Sequence, residues 1–144
     1  MAGRFRRGLA LIAIGSLLAS CSSGPTAGPI SATVKEWSIT LSSTNIKAGS
    51  VTFNLKNDGD KDHEFVIVKT DLAADKLPTK DTGEVDEEGT GFTAVDEAED
   101  ILSGSSDRTL TVNLPAGRYV VFCNVYADEL SHYQKGMHLA FTVS

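Results

Sequence analysis

Four side chains in this sequence have the chemistry to hold a soft metal ion: His63, Cys123, His132 and Met137. A thiolate and a thioether are soft ligands, and imidazole is borderline. Two imidazoles and a thiolate in one plane, with a thioether held weakly on the axis, suit copper. Zinc would more often bring further Cys, His or carboxylate ligands. Taken singly, each residue has a plainer account: a surface or loop histidine, a buried thiol, a core-filling methionine. Their placement argues for the metal. His63 follows the turn signal Asn57-Asp58-Gly59-Asp60, and Cys123 closes an apolar run from Tyr119. His132 lies in the loop after it, and Met137 opens the next run. His138 neighbours Met137 but points to the opposite face of a strand, so it takes no ligand role.

The elements that position these residues are strands. From residue 33 the pattern has period two. Trp37, Ile39 and Leu41 share one side of a run from Lys35, and Val51, Phe53 and Leu55 repeat the alternation. Leu110, Val112 and Leu114 alternate again before Pro115-Ala116-Gly117. Tyr119 to Val125 is almost continuously apolar, as in a strand buried on both faces. Short strands divided by Gly, Pro and Asn turns predict an all-β, antiparallel β-sandwich. Residues 71–108 break the rhythm. Nine acids fall between Asp81 and Asp100, which predicts a long acidic surface excursion with one helical turn near Asp96 to Leu102. Its plain role is a solvated loop; its functional one is a docking face for a basic partner. The acid spacing does not fit a helix–loop–helix calcium site.

The segment Gly117-Arg118-Tyr119-Val120-Val121-Phe122-Cys123-Asn124-Val125, followed by His132-Tyr133-Gln134-Lys135-Gly136-Met137, resembles the C-terminal copper loop of cupredoxins. Asn57-Asp58-Gly59 and His63-Glu64-Phe65-Val66 resemble the segment that carries the family's first histidine. The resemblance covers residues 31–144 and implies a Greek-key sandwich with one type 1 (blue) copper ion bound by His63, Cys123, His132 and Met137. It further implies electron transfer by Cu(I)/Cu(II) cycling with no substrate turned over, and an exposed edge of His132 as the electron port. Eight residues separate Cys123 from His132, whereas in related members the histidine usually follows sooner. That longer loop bears on the rigidity of the site. The alternative function is copper storage or delivery outside the cytoplasm. Carriers of Cu(I) often use several methionines, and here only Met137 lies beyond Met1. A third reading is an interaction module with a structural copper. An enzyme is disfavoured, because four ligands leave the metal no open position. Ser131-His132 is a sequence neighbour pair, which is not the geometry of nucleophile and base.

The remaining signals concern compartment. Arg4, Arg6 and Arg7 precede an apolar stretch from Leu9 to Leu18, too short to span a bilayer, and then Leu18-Ala19-Ser20-Cys21. This order predicts a lipoprotein signal over 1–20 and lipidation of Cys21. A Gly- and Pro-rich tether follows, so that 21–30 links the lipid to a domain over 31–144. The expected location is exported: lipid-anchored at the outer face of the cytoplasmic membrane, or periplasmic. If Cys21 carries lipid, Cys123 is a lone thiol in an oxidising compartment, which either a metal or burial would protect. The formal net charge of -6 over 144 residues argues against nucleic acid and suits a single-domain monomer whose redox partner is basic.

Overall fold

The computed structural model describes residues 24–144; Cys21 and the expected signal lie outside them. The chain forms a β-sandwich of two sheets. The first holds β1 (Ile30–Lys35), β2 (Ser38–Leu41), β4 (Gly49–Asn57) and β7 (Arg108–Leu114), in the order β2-β1-β4-β7. The second holds β3 (Asn45–Ile46), β5 (His63–Thr70), β6 (Phe92–Ile101), β8 (Gly117–Phe122) and β11 (His138–Val143), in the order β3-β11-β8-β5-β6. A separate two-stranded hairpin joins β9 (Tyr126–Ala127) to β10 (Leu130–Ser131).

The sheets are mixed rather than wholly antiparallel. β1 pairs with β4 in parallel, and so does β3 with β11. The chain turns from β1 into β2, crosses to the second sheet at β3, and comes back into β4 beside β1 in the same direction. Thr26 already bridges Ile46, so part of the segment read as tether lies against the sheet edge.

Two further expectations are corrected. The alternating run from Lys35 to Leu41 is two strands: β1 and β2 form a hairpin whose two-residue turn is Glu36-Trp37. The turn carries neither Gly nor Asn, so the period-two pattern ran straight through it. The predicted helical turn near Asp96–Leu102 is absent, and no helix occurs among the described residues. Residues 92–101 form β6, the edge strand beside β5, and acids cover its solvent side. Charge on an edge strand blocks pairing with a foreign strand, so it is compatible with β structure.

The central strands carry the alternation that packs the sandwich. Val51, Phe53 and Leu55 of β4 meet Phe65 and Ile67 of β5, Tyr119 and Val121 of β8, and Phe141 of β11 between the sheets. Phe53 lies 5.4 Å from Phe65 and 6.1 Å from Phe141, ring centre to ring centre. On the other face of β5 and β8, Val66, Val68, Val120 and Phe122 form a second cluster with Leu77, Val85 and Tyr133. Both faces of β5 and β8 are therefore buried. The second is covered by the connection over 71–91, which in sequence reads as solvated acid.

Candidate metal centre

His63 is the first residue of β5 and is fixed from behind by the preceding turn. Asn57, itself buried, donates its amide to the carbonyls of Lys61 (2.8 Å) and Ile101 (2.8 Å). Its side-chain oxygen accepts the amide of Gly59 at 2.9 Å. Cys123 follows β8 directly, and its amide donates to the Met137 carbonyl at 3.0 Å. Met137 precedes β11, and its amide donates to the His132 carbonyl at 3.2 Å. The Cys123, His132 and Met137 backbones are thus tied into one loop at the end of the sandwich. All four side chains are buried, none more than 1% exposed.

The donor atoms of three of them converge. Nδ1 of His63 lies 3.1 Å from Nδ1 of His132, and Cys123 Sγ lies 3.7 Å from the former and 3.4 Å from the latter. A triangle with these edges has its equidistant point about 2 Å from each corner, the length of a first-row metal–imidazole bond. The backbone amide of Glu64 donates to Cys123 Sγ at 3.3 Å. Met137 is buried among the same core residues as Cys123.

Electrostatics suits a metal. Burial pushes the Cys123 thiol up to about 11, and the amides of Glu64 and Val125 offset part of that rise. Burial, then the neighbouring His63, holds His132 down to about 4. Burial also lowers His63, against the pull of Glu36. Both imidazoles therefore keep a free lone pair at neutral pH, and a metal cation is what would displace the thiol proton.

The surroundings of the histidines were not legible in the sequence. Nε2 of His63 donates to Oε1 of Glu36 at 3.2 Å. Nε2 of His132 is buried with no hydrogen-bond partner. The Trp37 ring packs edge to face against His132 at 5.0 Å, and the Lys135 ammonium sits 6.0 Å over Trp37. An exposed His132 edge was the expected electron port; the structure corrects this, because Trp37 packs against that ring and it is 1% exposed.

The long loop between Cys123 and His132 is ordered. It folds as the β9–β10 hairpin, with Asp128 and Glu129 at φ 55° and 60° in its two-residue turn. Residues flanking the ligands are anchored in the 71–91 connection. Asn124 exchanges hydrogen bonds with the Val85 backbone (2.7 and 3.2 Å) and donates to Glu87 at 2.8 Å. Ser131 donates to the Gly83 carbonyl at 2.7 Å. The Tyr133 hydroxyl donates to Ala74 (2.8 Å) and accepts from the Leu77 amide (3.0 Å).

Residues 38–144 match the sulfocyanin (SoxE) domain family. The chain belongs to that family, within the cupredoxins. Solved structures agree in fold with this sulfocyanin domain. Auracyanin from the photosynthetic bacterium Roseiflexus castenholzii is 22% identical with a TM-score of 0.56, over 84% of this chain and 99% of that one. Rusticyanin from Thiobacillus ferrooxidans is 16% identical with a TM-score of 0.55, over 84% and 86%. Auracyanin B is 16% identical with a TM-score of 0.52, over 85% and 95%. No curated protein matches in sequence. In the sulfocyanin domain, His63, Cys123, His132 and Met137 are arranged as a type 1 copper site.

Proposed function

We propose that this sulfocyanin domain is an exported electron-transfer protein, held at a membrane surface by lipid on Cys21. The observation that carries the electron-transfer reading is the triangle of His63, Cys123 and His132 donor atoms, already drawn to bonding distance and sealed from water. Copper, when bound, supplies a one-electron couple. The protein's part is to keep the same ligand geometry for both oxidation states, so that little has to move when an electron arrives. The hydrogen bonds donated by Asn124, Ser131 and Tyr133 hold the ligand loop against such movement. No ligand position is open to a substrate, which argues against turnover. Delivery of copper to another protein calls for an accessible ligand, and these four are buried. The partner we favour is a basic redox protein, matched to the acidic surface of this chain. The order of charge, apolar stretch and Leu-Ala-Ser-Cys before Cys21 supports the anchor.

Copper-loaded protein tests this reading. It should show intense visible absorption from a Cu(II)–thiolate bond and cycle reversibly, and Cys123→Ser should abolish the colour while the sandwich stays folded. Met137→Gln should lower the reduction potential and keep the metal, because the axial thioether tunes potential more than it binds. A colourless wild type would overturn the type 1 reading. Loss of Cu(I) from Met137→Gln to a mild chelator, without useful cycling, would move the function to copper carriage.

A further inference from the structure

The two-residue turn between β1 and β2 reaches the centre from outside. Glu36 comes 27 residues before His63, on the other sheet, yet its carboxylate meets the ring nitrogen of His63 that faces away from Cys123. It is held there by more than that contact. Oε1 also accepts the Lys61 amide at 2.7 Å, and Oε2 accepts the Asp60 amide at 3.2 Å. The seat depends on a missing side chain: a Cβ on Gly59 would stand 2.5 Å from Oε2 and 2.6 Å from Oε1. A side chain at position 59 would therefore push the carboxylate out of this seat.

We propose that Glu36 is the positioning residue of the copper centre and a determinant of its reduction potential. By accepting the Nε2–H of His63, the carboxylate fixes the tautomer and leaves the Nδ1 lone pair facing Cys123 and His132. A carboxylate behind an imidazole also makes it a stronger donor, which favours Cu(II) over Cu(I). His132, whose corresponding nitrogen is unpartnered, receives no such push. The potential is therefore set asymmetrically, through His63.

The inference rests on the copper reading, and the experiment separates the two. Wild type, Glu36→Gln, Gly59→Ala and Asp62→Asn are loaded with copper and compared by reduction potential, visible spectrum and Cu(II) dissociation constant. Glu36→Gln should raise the potential, shift the charge-transfer band and weaken Cu(II) binding by about 10- to 100-fold. Gly59→Ala should move the potential the same way with the charge unchanged, because it displaces the carboxylate. Asp62→Asn removes one nearby negative charge that makes no contact with the ring, and should leave the spectrum as it is. Equal shifts in Glu36→Gln and Asp62→Asn would overturn the proposal, since bulk charge alone would then account for the effect. So would a Glu36→Gln protein that melts earlier but keeps the wild-type potential, which would reduce Glu36 to a brace for the turn. If wild type itself binds no copper, the copper reading fails first.

Discussion

His63 and His132 present the same imidazole to the same centre but face different surroundings. One ring is backed by a carboxylate; the other packs against indole with its second nitrogen unpaired. Trp37 is therefore the barrier between His132 and solvent. Trp37→Ala should open the ring edge to water, cost about 1–2 kcal/mol of stability from lost apolar burial, and speed removal of copper by a hydrophilic chelator several-fold. Stopped-flow chelation on both proteins checks it; equal rates would mean that copper leaves by another route. The four ligands could be picked out in the sequence because a metal restricts residue type, and because their joint order at strand ends resembles the copper loop of cupredoxins. Glu36 and Trp37 could not. Any half-exposed Glu has the same sequence signature, and the contact with His63 spans two sheets.

The strands were legible where one face is buried, as in β4 and β7, or both faces, as in β8. They were not legible where charge hid the pleat, and β6 is the case in point. Acids at Asp96, Glu97, Glu99 and Asp100 read as a helical turn in a surface excursion, although Ala98 and Ile101 are buried against β5. The connection over 71–91 misled in the same way. Its acids face water while Leu77 and Val85 lie beneath them in the second cluster. The contacts that matter for the site run through this element. Asn124 neighbours Cys123 and satisfies both polar groups of the Val85 backbone. Asn124→Ala should cost about 2 kcal/mol, read as a lower melting temperature. It should also broaden the copper signal in electron paramagnetic resonance, because the ligand loop loses one of its ties. A sharp, unchanged signal would show that the hairpin and backbone bonds suffice.

Across the whole molecule the acids act on one another. Burial, then the carboxylates of Glu87, Glu99 and Asp96, raises the Glu97 carboxyl above its ordinary range. A carboxyl raised in the folded state marks a charged form that burial and repulsion disfavour; the cost is absent below the unfolded value and grows as pH rises through the folded one. Glu97→Gln should therefore stabilise the protein at neutral pH. The gain should disappear near pH 4, where the wild-type carboxyl is itself protonated, and shrink as salt is added. Melting curves across pH and ionic strength check both; a gain that persists in acid would point to β propensity instead of charge.

The place of β11 governs the order of assembly. It is the last strand along the chain, yet it lies inside the second sheet, between β3 and β8. Its arrival supplies the Met137 carbonyl for Cys123 and the partner for the entire length of β8. Until residues 138–143 have left the ribosome, β8 has one open edge and Cys123 has no finished pocket. Pairings of such long range close slowly, on a scale of about milliseconds to seconds. Ligands and sandwich mature together, and a chain halted before β11 has neither.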